Sequence, residues 1–258
     1  MNRLHELFQT KKKQILCIYY TAGYPDINST DKILNILQNL NVDLIEIGIP
    51  YSDSLVDGKI IQKSNQISLK NGMNVSLLFE QLTSVKQEIK LPIILMGCFN
   101  QIYQFGVEIF LKKCNELAIS GLIIPDLPYE IYLDKYQQLF QKYSLSIIFL
   151  ITPQTNNTRI LFLDHITNGF LYLVSSSSIT GEIDFFGEQQ LSFFQRIKKL
   201  SIKKPKLIGF GIKNKYTFEL SCKYANGGII GSDFIKSLDK KNLEKSIKKY
   251  IHSIQFIN

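Results

Sequence analysis

The chain has 258 residues, of which 45% are hydrophobic and 20% are charged, and its formal net charge is +8. Its apolar content is too high for a disordered chain and its longest apolar runs are strand-sized, so we expect neither disorder nor a membrane span. The cysteines stand singly in the sequence, at Cys17, Cys98, Cys114 and Cys222. The absence of a CxxC pair argues against a zinc site and favours a reducing compartment.

Lysine supplies most of the positive charge and is concentrated at residues 11–13, 197–206 and 240–249. These stretches lack the interleaved aromatic residues on which single-stranded nucleic acids stack, so we interpret them as solvated faces. A nucleic-acid partner would rest on charge alone. The abundance of Lys, Ile and Asn indicates an AT-rich genome, and residues 1–14 are typical of neither a signal peptide nor a transit peptide. We expect a soluble protein of the bacterial cytoplasm, or of the plastid stroma if the gene is organellar.

Short apolar runs rich in β-forming residues recur along the chain and predict eight strands. They occupy residues 15–22, 43–49, 92–97, 121–126, 145–152, 169–175, 206–211 and 227–232. Segments with helical periodicity lie among them, at residues 29–40, 75–89, 108–118, 132–143, 191–200, 217–225 and 243–251. Strands that are apolar throughout are typical of a parallel sheet covered on both faces.

Eight βα units in a chain of this length predict an α/β fold, a (β/α)8 TIM barrel, with an extra N-terminal helix at residues 1–13. Because no linker or shift in composition divides the sequence, we expect residues 1–258 to form a single domain. A doubly wound open sheet is the alternative. The first βα turn, at residues 22–26, lacks the GxGxxG pattern that a dinucleotide-binding sheet would place there.

Carboxylates follow the second predicted strand, at the end of the barrel where TIM-barrel active sites lie. Glu46 interrupts an apolar strand, and Asp53 and Asp57 follow in the loop. Burying an ionised carboxylate is costly, so such a Glu is usually paired, metal-bound or protonated with a raised pKa. The structural alternative is a Glu46 satisfied by a buried Lys, Arg or backbone donor. Asp53 is typical of an Asx-turn. Glu46 and Asp57, placed in different environments, suit paired acid–base roles.

Glycines follow the last three predicted strands: Gly181, Gly211 and Gly231, the last of them preceding Ser232. Backbone N–H groups can approach a ligand closely at glycine, and the loops after strands 7 and 8 form the recurrent phosphate site of TIM barrels. These residues predict a phosphate site. The alternative is that the glycines serve only tight βα turns.

One segment carries a family resemblance. Residues 44–62, LIEIGIPYSDSLVDGKIIQ, resemble the signature ELGxPFSDPxADGPxIQ of tryptophan synthase alpha chains. Further segments agree in order and spacing: YTAGYPD (20–26), IPDLPYEI (124–131), YLVSSSSITG (172–181), GFGI (209–212) and GSDFI (231–235). The resemblance implies a lyase of tryptophan biosynthesis that cleaves indole-3-glycerol phosphate to indole and glyceraldehyde 3-phosphate. It also implies no metal or organic cofactor in this chain.

The resemblance assigns roles to individual residues. Glu46 falls on the catalytic Glu that moves protons at indole C3 and at the glycerol hydroxyl. Asp57 falls on the acid that stabilises the cationic indolenine through the ring N–H. Tyr172 matches a Tyr beside Glu46, with a core aromatic as the alternative. Tyr19 falls where the family has an apolar aromatic against the indole, and Phe210 borders the same ring.

The resemblance also implies a lid and a partner. Thr180 and Gly181 lie in a loop that closes over the substrate in the family. Asp126 matches a loop that faces the beta chain and positions the equivalent of Thr180. An α2β2 heterotetramer is implied, in which the tryptophan synthase beta chain uses pyridoxal phosphate to join indole to serine.

Departures from the family pattern lie around the site, at Ser54, Val56, Lys59, Cys98, Ser176, Ser178 and Glu182. Two of them replace prolines, at Ser54 and Lys59, so we expect a less pre-organised loop before and after Asp57. Two other functions stay open. The chain could be another phosphate-binding barrel, or an allosteric subunit whose altered loops have lost independent activity.

Overall fold

The computed structural model describes residues 2–54, 57–174 and 186–254. Within them the predicted strands form a closed barrel, in which neighbours pair in parallel and in chain order until the last strand meets the first. The strands are β1 (Ile15–Thr21), β2 (Leu44–Gly48), β3 (Ile93–Met96), β4 (Gly121–Ile123), β5 (Ser146–Ile151), β6 (Leu171–Val174), β7 (Lys206–Gly209) and β8 (Gly227–Ile230). The predicted (β/α)8 barrel is confirmed.

Helices surround the barrel and follow its strands. They are α1 (Arg3–Thr10), α2 (Thr30–Gln38), α3 (Lys59–Lys70), α4 (Val75–Ser84), α5 (Phe99–Phe105), α6 (Val107–Glu116), α7 (Tyr129–Ile131), α8 (Gln137–Lys142), α9 (Asn157–Ile166), α10 (Glu188–Lys199), α11 (Lys215–Tyr224), α12 (Ser232–Ser237) and α13 (Leu243–Ile254). The predicted N-terminal helix is confirmed as α1. Across the described ranges, none of these helices combines the length and apolarity needed to cross a membrane. That residues 1–258 form one domain stays a prediction.

Helix α9 is one that periodicity did not predict. Its apolar residues are consecutive, so that Leu161 and Phe162 are exposed while Ile160 and Leu163 are buried. A helix without an apolar stripe carries no amphipathic signal. Its start is set instead by Asn156, whose side chain accepts a hydrogen bond from the N–H of Arg159 at 2.8 Å.

The strands sort their apolar side chains into two layers. Because side chains alternate along a strand, Leu16, Ile18 and Tyr20 of β1 pack against the surrounding helices. Cys17 and Tyr19 of the same strand face the barrel interior. The interior is therefore a filled core, and only its carboxyl end is available to a ligand.

Helix α1 closes the amino end of the barrel. Leu4 and Phe8 are buried there, and the Phe8 ring lies 5.8 Å from the Phe170 ring. Phe170 lies 6.5 Å from Tyr172, which lies 6.5 Å from Phe210. We call these four rings the aromatic column. It runs from the floor of the barrel to the end of β7.

Candidate active site

Glu46 lies inside the barrel in the middle of β2. The residue is 1% exposed, and neither carboxyl oxygen has a hydrogen-bond partner within the described residues. Burial raises the pKa of Glu46 to about 8, and the negative charge of Asp57 adds to the shift. The alternative was that a buried donor satisfies Glu46. No such donor is found in the described part of the chain. At neutral pH the carboxyl is mainly protonated and can donate a proton.

Asp57 lies at the mouth of the barrel, beyond the end of β2. Burial raises its pKa to about 6, so that at neutral pH it is mainly ionised while Glu46 is not. The Asp57 N–H donates to the Ser54 carbonyl at 3.0 Å, and the Gln62 side-chain amide donates to the Asp57 carbonyl at 2.8 Å. The two carboxyls therefore have separate pKa values, as acid–base pairs require.

Two tyrosines enclose Glu46 from different sides of the barrel. The Tyr19 Cα pairs with the Glu46 Cα across β1 and β2. A Cβ on Gly48 would overlap the Tyr19 hydroxyl, and a Cβ on Gly209 would overlap the Tyr172 hydroxyl. Each phenol thus leans over a glycine of the next strand. Glycine is required at both places because the rings fill the space that a side chain would take.

Phe210 follows β7 in a rare backbone conformation. Its φ is 69° and that of Gly211 is 75°. The left-handed region is uncommon for a residue with a side chain, and such strain is of the order of 1–3 kcal/mol and clusters at functional sites. The turn packs the Phe210 ring edge-on against Tyr172, at an interplanar angle of 69°. Tyr19 and Tyr172 lie close enough to both carboxyls for the carboxylate charges to add to the burial that raises the tyrosine pKa values. Phe210 joins this group through its contact with Tyr172.

The predicted phosphate residues lie at the ends of β7 and β8. Gly211 follows β7, Gly231 follows β8, and Ser232 is the first residue of α12. A Cβ on Gly231 would lie 3.2 Å from Cδ1 of Tyr19, so Gly231 borders the aromatic pocket. Their binding of phosphate stays a prediction. Other predicted or divergent positions lie outside the described residues: Val56, Ser176, Ser178, Thr180, Gly181 and Glu182.

Asp126 caps helix α5. Its carboxylate accepts hydrogen bonds from the Phe99 N–H at 2.8 and 3.0 Å, at the start of α5. The neighbouring Cys98 thiol has its pKa raised to about 12 by burial and by the Asp126 charge, which makes it a poor nucleophile. The predicted contact of Asp126 with a beta chain remains a prediction.

Three further residues of the site were not singled out from the sequence. Gln62 holds the Asp57 carbonyl, and Thr21 and Ser64 form a buried hydroxyl pair 2.7 Å apart. Gln62 lies within the segment that carries the family resemblance, so it could have been found there. Thr21 also lies in a segment that carries the resemblance, at residues 20–26, whereas Ser64 carries no such signal. Among the described residues no group of three or more His, Cys, Asp or Glu could hold a metal ion.

A closed parallel barrel with two carboxyls of separate pKa at its carboxyl end defines the class of TIM-barrel enzymes that work by acid–base chemistry. The family can be stated as well. The tryptophan synthase alpha chain model matches residues 5–257, and the chain belongs to that family.

Individual relatives agree with this assignment. The tryptophan synthase alpha chain of Karelsulcia muelleri (strain GWSS) is 56% identical over 254 residues, which are 98% of this chain and 99% of the relative. That of Christiangramia forsetii is 51% identical, with 96% and 98% covered. The solved alpha subunit from Legionella pneumophila has a TM-score of 0.87 at 27% identity, with 98% of this chain and 97% of that chain covered.

Proposed function

We propose that Glu46 and Asp57 catalyse the retro-aldol cleavage of indole-3-glycerol phosphate to indole and glyceraldehyde 3-phosphate, the lyase reaction of the tryptophan synthase alpha chain. The observation that carries the proposal is the buried Glu46, which has no hydrogen-bond partner among the described residues. Its pKa of about 8 keeps a proton available beside the ionised Asp57.

The reaction needs one proton delivered and one removed. Protonated Glu46 gives its proton to indole C3, which turns the ring into a cationic indolenine. The Glu46 carboxylate then takes the proton of the glycerol hydroxyl next to the ring as that carbon becomes an aldehyde and the carbon–carbon bond breaks. The proton balance closes, since Glu46 ends protonated as it began.

Asp57 acts on the charge that develops between these steps. Its carboxylate accepts the ring N–H, which becomes more acidic as the indolenine forms, and an anion at that place favours the cation. Its pKa of about 6 keeps it charged at neutral pH. The burial of Glu46 and the half-buried position of Asp57 strengthen the electrostatic effect, because water screens it less than at the surface.

The remaining site residues bind the two ends of the substrate in this proposal. The indole ring lies against Tyr19, Tyr172 and Phe210. The phosphate lies against the backbone at Gly211, Gly231 and Ser232, joined by Gly181, and Thr180 and Gly181 belong to the lid that excludes water. Backbone donors at the helix start explain why a phosphate site needs no lysine cluster.

We infer the partner from the family. The product indole passes to a tryptophan synthase beta chain in an α2β2 heterotetramer, with Asp126 near the shared surface. Pyridoxal phosphate belongs to that beta chain, and the alpha chain needs no cofactor of its own. The relatives named above are bacterial, which favours the bacterial cytoplasm over the plastid stroma as the compartment.

An indole-release assay tests the function. The purified chain is given indole-3-glycerol phosphate with and without a beta chain, and indole and glyceraldehyde 3-phosphate are measured together. Formation of the two products in equal amounts supports the lyase, and Glu46→Gln should lower the turnover by about 10²- to 10⁴-fold. Activation of a beta chain without any cleavage would identify an allosteric subunit instead. Turnover in Glu46→Gln that is comparable to that of the wild type would show that the proposed mechanism is wrong.

A further inference from the structure

The C-terminal helix carries a tyrosine that the proposed mechanism does not use. Tyr250 lies in α13, which is anchored in the core by the buried residues Ile247, Ile251 and Ile254. The Tyr250 ring packs edge-on against the Phe234 ring of α12, at a centroid distance of 5.7 Å and an interplanar angle of 64°. The residue is half-buried. The anchored helix thus places one phenol beside α12, the helix that follows β8.

The Tyr250 hydroxyl has one acceptor at hydrogen-bond distance. It donates to Oδ2 of Asp233 at 3.0 Å. The Lys213 carbonyl oxygen lies 3.4 Å from the same hydroxyl, which is too long to compete for its proton. Burial and the Asp233 charge raise the pKa of Tyr250 well above its ordinary value, so the phenol keeps the proton that it donates. A hydrogen bond to a carboxylate is among the stronger ones in proteins and fixes where the carboxylate lies.

Asp233 lies next to the proposed phosphate residues. It is the second residue of α12, directly after Ser232 and two residues after Gly231. A carboxylate near the start of a helix is attracted by the same N–H groups as a phosphate, and a short Asp side chain can reach neighbouring backbone N–H groups. An unrestrained Asp233 would therefore compete with the phosphate and repel it.

The bond to Tyr250 turns the Asp233 carboxylate to the outside of the barrel. Phe234 and Tyr250 belong to the apolar layer between the strands and the surrounding helices. Gly231 instead borders Tyr19, which belongs to the layer inside the barrel. Within the described residues, the start of α12 has no side-chain cap. The carboxylate is thus held on the α13 side of α12, while the pocket lies on the other side.

We propose that Tyr250 is a positioning residue for the phosphate: its hydroxyl holds the Asp233 carboxylate against α13 and away from the bound phosphate. The phosphate then meets the backbone at Gly231 and Ser232 without a competing negative charge. This inference rests on the proposed placement of the phosphate. A phosphate monoester carries about two negative charges at neutral pH, so a carboxylate that turns toward it weakens binding. The repulsion acts on substrate and transition state alike, because the phosphate does not react.

Removing the hydroxyl tests the first half of the inference. Tyr250→Phe keeps the ring and should raise the Kd of glycerol 3-phosphate, which carries the phosphate without the indole, about three- to tenfold. The Kd of indole should stay the same. The KM for indole-3-glycerol phosphate should rise by a similar factor while kcat changes little, as expected for a loss of uniform binding. Calorimetric titration and indole release measure these constants.

Removing the charge tests the second half. Asp233→Asn keeps the size of the side chain and cannot repel the phosphate, so adding Tyr250→Phe to that variant should leave the Kd of glycerol 3-phosphate nearly unchanged. The effect of Tyr250→Phe alone should also shrink at high ionic strength. A loss of packing would persist in both conditions, which separates positioning from a structural role.

Tyr143→Phe is the matched control. The Tyr143 hydroxyl also donates to a carboxylate, that of Glu108, at 2.9 Å, but Tyr143 precedes β5 at the amino end of the barrel. Its removal should leave the Kd of glycerol 3-phosphate at the wild-type value. An unchanged Kd in Tyr250→Phe would overturn the inference, as would an increase that persists when Asp233→Asn is added.

Failure of the proposed function has a separate signature. Wild-type protein that binds glycerol 3-phosphate but releases no indole contradicts the lyase activity, and the Kd values of the variants then still decide the role of Tyr250. Wild-type protein that binds no glycerol 3-phosphate would overturn the inference as well, because the phosphate site on which it rests would be wrong.

Discussion

The two ends of the barrel satisfy their polar groups to different degrees. At the amino end, Asp43, Asn168 and Asn226 each precede an even-numbered strand, and each side chain accepts an N–H near the start of the preceding strand. The donors are Leu16, Ile147 and Lys206, at 2.8, 2.9 and 2.8 Å. Ser120 holds the corresponding place before β4, and its hydroxyl has no partner within the described residues. The same hydrogen bond, from a backbone N–H to a side-chain oxygen, thus occurs three times at the amino end.

The carboxyl end keeps unfavourable features instead. Glu46 is buried without a hydrogen-bond partner among the described residues, and the Asp57 pKa is raised by burial. Each of these costs stability, and each lies where the substrate is proposed to react. The comparison indicates that the amino end stabilises the fold, whereas the carboxyl end contains groups that lower stability and serve the proposed reaction.

Replacing the unpartnered carboxyl should separate the two ends most clearly. Glu46→Gln should lower kcat by about 10²- to 10⁴-fold, the usual contribution of a general acid–base group. Its free energy of unfolding near pH 8 should be kept or raised, since a group that must ionise in an apolar place is gone. Indole release and urea denaturation measure the two effects. A variant that loses stability along with activity would show that Glu46 is a structural residue.

Asp57→Asn should have the next largest effect. The amide keeps the shape but cannot favour the indolenine cation, so kcat should fall roughly 10²- to 10³-fold. KM should change much less, because the charge matters in the transition state. Steady-state kinetics against indole-3-glycerol phosphate measure both constants. An unchanged kcat would reject the proposed role of Asp57.

The two raised pKa values at the carboxyl end should make both activity and stability depend on pH. Activity needs ionised Asp57 and neutral Glu46, so kcat/KM should fall about tenfold per pH unit below pH 6 and above pH 8. Both folded pKa values lie above the ordinary values of 3.8 and 4.5, so the folded state binds more protons. Their stabilisation is complete below the ordinary values and is lost as the pH rises through about 6 and 8. Unfolding measured at several pH values checks this, and Glu46→Gln should reduce the slope. Stability that rises over that range would contradict the shifts.

A substitution at the amino end should show the opposite pattern with the smallest effect. Asn168→Ala leaves the Ile147 N–H unpaired and should cost about 1–3 kcal/mol of unfolding free energy. Because the amide lies at the floor of the barrel, kcat should be unchanged. Denaturation and indole release on the same preparation measure this. A loss of turnover that approaches that of Glu46→Gln would show that the two ends do not act separately.

The barrel could be predicted because the burial of its strands determines which residues they contain. A parallel strand buried on both faces has to be apolar throughout, and runs such as residues 145–152 announce it. Helix α9 could not be predicted in that way. Its consecutive apolar residues leave Leu161 and Phe162 at the surface, and a cap at Asn156 starts it.

At the site, predictability depended on how unusual each residue is in its place. Glu46 stands out as a carboxylate in an apolar strand, and Asp57 lies in the segment that resembles the family. Thr21 and Ser64 are ordinary residues 43 positions apart, and their contact exists only after closure brings β1 beside α3.

The aromatic column limits which segments of this chain could be replaced by the corresponding segments of its relatives. Phe8 belongs to the first helix, and three further rings connect it to the end of β7. The centroid distances are 5.8 Å for Phe8–Phe170, 6.5 Å for Phe170–Tyr172 and 6.5 Å for Tyr172–Phe210. A close-packed interior fills a gap by shifting its neighbours. A chimaera that takes its N-terminal helix from another species would therefore need rings of matching size along the whole axis. Ring packing along the barrel axis thus links the sequence of the first helix to the carboxyl end of the barrel.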